Sequence, residues 1–161
     1  MTLGVLFTVA SCGSKTGEKD LEDVKARGTI IVGMECAYAP YNWAQATSNE
    51  YASVRLDNGT YADGYDVQMA KKIAEALGVE LVIKPIEWNG LTSALNSKQI
   101  DLIIAGMSPT EDRKLSIDFT DTYYDSDLVM VVRKDSAYAA ATKISDFSGA
   151  KITGQLNTFH Y

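Results

Sequence analysis

Residues 100–113 (IDLIIAGMSPTEDR) combine side chains and backbone that together suit a small organic anion. The apolar start predicts a buried strand, and the small residues Ala105 and Gly106 after it leave backbone N–H groups open to a ligand. Residues 108–111 match a helix start with a capping box, in which Ser108 is the N-cap and the helix dipole favours a negative charge. Arg113 adds a planar guanidinium that can hold a carboxylate through two parallel hydrogen bonds. These residues predict a carboxylate site.

Both features also have an ordinary structural explanation. Residues 108–111 can simply begin a well-capped short helix. The Arg113 guanidinium can form a surface ion pair with Glu111, Asp112 or Asp118, and such pairs are common. Spacing alone leaves these alternatives open.

Aromatic residues follow the predicted strands that precede this tract. Tyr38, Tyr41 and Trp43 come after the first strand, and Trp88 comes after the second. Aromatic faces can pack on an aliphatic stem and attract an ammonium group. Each ring could equally belong to ordinary packing, but rings at neighbouring strand ends favour a shared wall of one site.

The elements that must position these residues alternate between strands and helices. Apolar patterning predicts strands over residues 29–34, 79–84 and 100–105, and helices over residues 66–77 and 89–97. The apolar face of the first helix consists of Val67, Ala70, Ile73, Ala74 and Leu77. Asp66 is the predicted cap at its start and Gly78 the predicted glycine cap at its end.

This order predicts an α/β fold with a mostly parallel sheet flanked by helices. Ligands of such sheets bind outside the carboxyl ends of the strands, where residues 35–43, 87–88 and 106–113 fall. Residues 44–63 predict a hairpin-like excursion, with Asp57-Asn58-Gly59 as its turn. Further strands are predicted over residues 128–134 and 150–154, as the start of a second lobe.

Composition restricts the function classes. The chain has 161 residues, 46% of them hydrophobic, and a formal net charge of −6. This charge argues against nucleic acid as a partner, because no basic cluster neutralises phosphates. The sequence has no phosphate-binding loop, zinc-ligand spacing or nucleophile motif, and no spacing that pairs two carboxylates for acid–base work. We therefore expect no cofactor, no metal and no enzymatic activity.

The N-terminus predicts an export signal. Residues 2–11 form an apolar run too short to span a bilayer, and Cys12 follows it. The run resembles the end of a bacterial lipoprotein signal peptide, in which Cys12 would be lipidated; the alternative is a plain apolar N-terminus. Cys36, the other cysteine, is predicted to be a small buried residue.

The motifs together resemble the polar amino-acid branch of the solute-binding proteins of bacterial ABC transporters, which have the type 2 periplasmic-binding fold. The resemblance covers residues 21–161. It rests on Tyr38-Ala39-Pro40-Tyr41, Gly64-Tyr65-Asp66, Trp88-Asn89-Gly90-Leu91, Lys98-Gln99-Ile100-Asp101, Ala105-Gly106-Met107-Ser108, Arg113, Asp118-Phe119-Thr120 and Tyr123-Tyr124.

The resemblance implies a role for each site residue. Arg113 would hold the ligand's α-carboxylate, with Ser108 and the backbone of Gly106 beside it. Tyr38 and Trp88 would pack on the ligand, and Glu35 would face its side chain. From the second lobe the contacts would come from Gln155, Thr158, Phe159 and His160, where residues 157–160 replace the family's usual glycine-rich run.

The resemblance also implies an organisation. We expect a signal peptide and lipobox over residues 1–12, a polar tether over 13–24, lobe one over 25–127 and the start of a C-terminally truncated lobe two over 128–161. We expect such a truncated chain to bind weakly or not at all.

The intact protein would be a monomer, lipid-anchored outside the cytoplasm, that delivers an amino acid to an ABC permease. A cyclohexadienyl-dehydratase-like enzyme and a receptor's sensory domain remain alternatives on the same fold.

Overall fold

The structure is a computed structural model that describes residues 16–158. The described residues form two compact units, the first ending at Ile117 and the second beginning at Asp118. The helices and strands, in chain order, are α1 (Thr16–Arg27), β1 (Thr29–Met34), β2 (Ala37–Tyr38), β3 (Asn42–Gln45), β4 (Val54–Arg55), β5 (Tyr61–Asp63), α2 (Tyr65–Leu77), β6 (Glu80–Pro85), α3 (Leu91–Asn96), β7 (Leu102–Ile103) and α4 (Glu111–Lys114). Short 3-10 helices cover Trp88–Gly90 and Ile144–Phe147.

A three-stranded parallel sheet with the order β6–β1–β7 forms the centre of the first unit. Its middle strand, β1, has the predicted bounds and is the most buried, because Val32 and Met34 are fully covered. Strand β6 is shifted by one residue from its predicted bounds, and β7 is reduced to Leu102–Ile103. The predicted α/β class with a parallel sheet is confirmed.

Helix α2 confirms the predicted helix and corrects its start. Val67, Ala70 and Ala74 of the predicted apolar face are buried, and Gly78 ends the helix in the left-handed conformation, with φ of 67°. Gly64, rather than Asp66, is the N-cap, and no side chain caps this end. The prediction for Asp66 is wrong because its carboxylate is fully buried and accepts a hydrogen bond from Asn42.

The predicted excursion between the first strand and the first helix is a small antiparallel sheet, with the order β2–β3–β5–β4. Its β4–β5 turn contains Asp57-Asn58-Gly59, as predicted, and Gly59 has φ of 85°. The hairpin is closed by hydrogen bonds from Leu56 N–H to Thr60 O and from Gly59 N–H to Leu56 O. This sheet carries the aromatic residues that follow β1.

The second unit differs from the sequence prediction. Residues 128–134 and 150–154 form no strand in the part of this unit that the structure describes, which ends at residue 158. The apolar side chains of Val129 and Val131 are 76% and 90% exposed. An isolated strand leaves its backbone unpaired, so a strand pattern forms a strand only where a partner strand pairs with it.

Candidate ligand-binding site

The carboxyl ends of the three parallel strands lead into the predicted site segments. Strand β1 ends at Met34, whose carbonyl accepts a hydrogen bond of 3.0 Å from Ile86 N–H. Ile86 directly follows β6 and precedes the 3-10 helix that begins at Trp88. Residues 104–110 follow β7 and lead into α4. The fold therefore brings the loops that carry the candidate residues of this unit to one edge of the sheet.

Helix α4 holds Arg113 and begins two residues later than predicted. Thr110 is its N-cap and accepts a hydrogen bond of 3.4 Å from Arg113 N–H. The predicted capping box at Ser108 is wrong, because the Ser108 carbonyl instead accepts from Thr110 N–H at 2.9 Å and closes a turn before the helix. Glu111 and Asp112 then occupy the first turn, where negative side chains interact favourably with the helix dipole.

The Arg113 side chain contacts groups from two different loops. Its Nη1 donates a hydrogen bond of 2.9 Å to the Ser108 carbonyl, and its Cζ lies 5.3 Å from the centre of the Trp88 ring. The second distance is typical of a cation–π contact. Glu111, one of the carboxylates that could have formed a surface ion pair with Arg113, instead forms an ion pair with Lys114 at 2.8 Å. Arg113, Ser108 and Trp88 are therefore brought together, as the site prediction requires.

Partial burial affects the pKa of Arg113. Desolvation lowers the pKa of its guanidinium below the usual value, because a less polar surrounding disfavours the charged form. A nearby anion has the opposite effect and favours the charged form. A bound carboxylate would therefore offset the desolvation that this guanidinium already bears.

A second pair of candidate residues lies in contact. Gly106 has φ of +62°, and a Cβ added there would lie 3.3 Å from Cε1 of Tyr38. The Tyr38 ring stacks on Tyr41 with a centroid distance of 5.0 Å and remains 41% exposed. The backbone at Gly106 and an exposed aromatic face thus lie side by side, two residues before Ser108.

The remaining predicted site residues have the following places. Glu35 is half-buried directly after β1, and Ala105 is buried before Gly106. In the second unit, Thr158 donates from its hydroxyl to the Gln155 carbonyl at 2.7 Å, so both belong to one turn. Phe159, His160 and the lipidation candidate Cys12 lie outside the described residues. The ligand contacts assigned to all these residues stay predictions.

The structure adds two residues that the sequence did not single out. Thr110 caps α4, and a threonine before two acidic residues was the available signal. Asn42 is fully buried and donates to the Asp66 carboxylate at 2.7 Å, while its own Oδ1 accepts from Cys36 N–H at 2.8 Å. A single asparagine among aromatic residues carried no signal for that role.

Cys36 is buried, as predicted. Burial raises the pKa of its thiol to about 11, because a thiolate would be poorly solvated there. Its thiol is free, and its backbone N–H is held by Asn42.

The described residues contain neither a metal-binding cluster nor a membrane-spanning helix. Between residues 16 and 158 the structure has no group of three or more His, Cys, Asp or Glu side chains placed to hold a metal ion. No helix in the same range is long and apolar enough to cross a membrane.

Comparison with known families gives one match over most of the chain. The sequence model of the bacterial extracellular solute-binding proteins, family 3, matches residues 30–146, which is more than half of the chain.

Curated relatives share this similarity. The arginine-binding extracellular protein ArtP of Bacillus subtilis is 29% identical, over 96% of this chain and 52% of its own length. The L-cystine-binding protein TcyJ of Escherichia coli is 33% identical, over 86% of this chain and 47% of its own length. The chain therefore spans about half the length of these two relatives.

Solved structures with the same fold include one isolated domain and one ancestral enzyme. The arginine-bound form of domain 1 from TmArgBP, the arginine-binding protein of T. maritima, is 38% identical with a TM-score of 0.54, over 64% of this chain and 72% of that chain. An ancestral cyclohexadienyl dehydratase is 31% identical with a TM-score of 0.53, over 65% of this chain and 38% of that chain.

Proposed function

The chain belongs to family 3 of the bacterial extracellular solute-binding proteins, and on this basis we propose that it binds a polar amino acid by its α-carboxylate. The intact protein is then the extracytoplasmic solute-binding component of an ABC importer. The amino acid is its ligand, and the permease is the partner to which it delivers that ligand. The relatives named above support this class, because their ligands are arginine and cystine.

One observation carries the proposal. The Arg113 guanidinium is held between the Ser108 carbonyl and the Trp88 ring, at the edge of a parallel sheet where ligands bind. A guanidinium presents its N–H donors in a planar fork whose geometry matches that of a carboxylate. The two contacts orient the fork before a ligand arrives, which lowers the entropic cost of binding.

The neighbouring groups suit the rest of an amino acid. The Tyr38 face and the Trp88 ring offer apolar surface for an aliphatic stem and a negative π-face for an ammonium. The backbone at Gly106 and the half-buried Glu35 complete the proposed contacts in this unit. Gln155, Thr158, Phe159 and His160 are the proposed contacts from the second lobe, and Ala105 lines the loop before Gly106.

The proposed location follows from the family and from the N-terminal sequence. The family is extracellular, so the protein acts outside the cytoplasm. We propose that lipidation of Cys12 anchors it to the membrane as a monomer. Mass spectrometry of the protein isolated from membranes tests this anchor, and an unmodified Cys12 would contradict it.

A single lobe of a related protein bears on how this chain can be tested. Domain 1 of TmArgBP is an arginine-bound form, and the match covers 72% of that domain. A lobe of this fold can therefore hold a ligand, which supports binding experiments on the present chain. Because the chain spans about half the length of the curated relatives, the titrations should extend to ligand concentrations in the millimolar range.

The ancestral dehydratase among the similar structures makes an enzyme the second candidate function. That activity would consume prephenate or arogenate. We propose binding rather than turnover, because the curated relatives are named as binding proteins.

The deciding experiment is a thermal-shift and calorimetric screen with the twenty standard L-amino acids, L-cystine, prephenate and arogenate. Ligand binding to the native state raises the melting temperature by mass action. A shift with one or a few polar amino acids supports the proposal. Turnover of prephenate or arogenate, or no response to any amino acid, contradicts it.

A further inference from the structure

Residues 35–41, here named the aromatic loop, are tied to the beginning of helix α2. Tyr65 N–H donates to the Pro40 carbonyl at 3.2 Å, and Asp66 N–H donates to the Tyr41 carbonyl at 2.8 Å. Both donors lie in the first turn of α2, where N–H groups have no partner within the helix. The loop thus supplies the partners that a capping side chain would otherwise provide.

A buried asparagine extends this connection to the other end of the loop. Asn42 directly follows the loop, and its amide bridges the Asp66 carboxylate, at 2.7 Å, and Cys36 N–H, at 2.8 Å. Asn42 and Asp66 are both fully buried. The bridge joins the first residues of the loop to those after it, so the loop is closed at its base.

Gly64 permits the close approach that these bonds need. A Cβ at this position would lie 2.2 Å from the Tyr41 carbonyl oxygen, which is far inside van der Waals contact. Its φ of +122° is also a backbone conformation that residues other than glycine rarely adopt. The Gly64-Tyr65-Asp66 motif therefore has one common spatial role, which is to receive the aromatic loop.

We propose that Asn42, Asp66 and Gly64 form a clasp whose function is to hold the aromatic loop in its ligand-binding conformation. This clasp keeps the Tyr38 ring beside Gly106. The three residues touch the loop rather than the ligand, so they are positioning residues. The inference rests on the proposed function, because Tyr38 is a contact of the proposed amino-acid site.

The physical reason is a population effect. A binding site that is correctly arranged for only a fraction of the time has its affinity reduced by that fraction. If loss of the clasp leaves the loop correctly placed about one tenth of the time, the apparent Kd rises roughly tenfold. A residue that only stabilises the fold would leave the Kd unchanged wherever the variant remains folded.

The test compares two near-isosteric substitutions in the full chain. Asn42→Leu keeps the approximate size of the side chain but removes both the donor to the Asp66 carboxylate and the acceptor of Cys36 N–H, so the bridge is lost. Asp66→Asn keeps an oxygen that can accept from Asn42, so the bridge survives. Ile30→Val is the matched destabilising control, because Ile30 is buried in β1 and belongs to neither the loop nor the clasp.

Two measurements are made on each variant. Calorimetric titration with L-arginine, or with whichever amino acid the screen identifies, gives the Kd at a temperature where circular dichroism shows the variant to be folded. Amide hydrogen exchange at Cys36 reports the bridge without any ligand. In the wild-type chain this amide should exchange as slowly as the amides of β1. This measurement does not depend on whether any variant folds.

We expect Asn42→Leu to raise the Kd about tenfold or more and to speed exchange at Cys36. Asp66→Asn and Ile30→Val should bind within about twofold of wild type. An unchanged Kd for a folded Asn42→Leu variant would overturn the proposal, and so would rapid exchange at Cys36 in the wild type.

The proposed function can fail separately. If the wild-type chain binds no amino acid, the ligand assignment is lost, and exchange at Cys36 alone then decides whether the clasp holds the loop. Unchanged exchange in Asn42→Leu overturns the clasp in that case, and faster exchange supports its hold on the loop.

Discussion

Replacement of Arg113 by alanine should weaken amino-acid binding more than any other single substitution in the first unit. The variant removes the donors proposed for the α-carboxylate together with the cation that lies over Trp88. The Ser108 carbonyl loses one partner but is only half-buried, so the fold itself should be little affected.

The size of the effect follows from the geometry of the fork. A hydrogen bond to a charged group contributes about 1.5–3 kcal/mol, so a bidentate carboxylate contact contributes about 3–6 kcal/mol. Arg113 is only partly buried, and solvent screening favours the lower end of this range. At about 1.4 kcal/mol per factor of ten, the expected loss is roughly 100-fold in Kd.

Calorimetry on four proteins measures this loss. Arg113→Lys keeps the charge but not the planar fork, so its Kd should lie between those of wild type and Arg113→Ala. Arg55→Ala removes an exposed arginine of the same unit and should bind as wild type does. An Arg113→Ala variant with wild-type affinity would remove Arg113 from the site. An equal loss in Arg55→Ala would show that net charge, rather than the fork, determines binding.

Three smaller perturbations test the supporting geometry. Gly106→Ala places a Cβ against Tyr38 in a left-handed conformation, so it should destabilise the fold by about 1–2 kcal/mol and weaken binding. Thr110→Val removes the N-cap oxygen that accepts from Arg113 N–H. The free energy of unfolding, measured by urea denaturation, should fall by about 1 kcal/mol. The pKa of Cys36, raised by burial to about 11 from an ordinary 9.0, predicts slow alkylation of the native thiol at pH 8 compared with the unfolded chain. Because the neutral thiol is favoured in the folded state, the associated stability is fully present below pH 9.0 and is lost as the pH rises through about 11.

Each of these predictions has a result that contradicts it. Unchanged binding by Gly106→Ala would mean that the Tyr38 contact is unimportant, and unchanged stability of Thr110→Val would mean that the cap contributes nothing. For Cys36, the comparison is with Cys36→Ala, which lacks the titrating thiol. Equal loss of stability in both proteins between pH 9.0 and 11 would contradict the thiol's raised pKa.

The sequence predicted the central elements well where the signal was local. The bounds of β1 and the buried face of α2 follow from apolar periodicity, and the hairpin turn at Gly59 follows from its glycine. The start of α4 was missed because Ser108 and Thr110 are both good caps before the same acidic turn. Local pattern cannot choose between them, since the choice depends on the hydrogen bonds that the Ser108 carbonyl forms.

Long-range contacts account for the other differences. Aspartate is a common helix cap, but the buried carboxylate of Asp66 accepts a hydrogen bond from Asn42, which lies on an earlier strand. Residues 128–134 have the pattern of a strand, but a strand also needs a neighbour to pair with, and that neighbour is not a property of the segment. The common location of the first unit's candidate residues was predictable because three strand ends converge on one edge, whatever the exact bounds of each element.

Recognition of the α-carboxylate by Arg113 is tested most directly by comparing L-arginine with its α-carboxamide, argininamide, in calorimetric titrations of wild type and Arg113→Ala; another amino acid from the screen, with its carboxamide, would serve equally. The carboxamide keeps the side chain and the ammonium but loses the negative charge. We expect wild type to bind the acid roughly 100-fold more tightly than the amide, and Arg113→Ala to bind both equally weakly. Equal affinity of wild type for acid and amide would contradict the account.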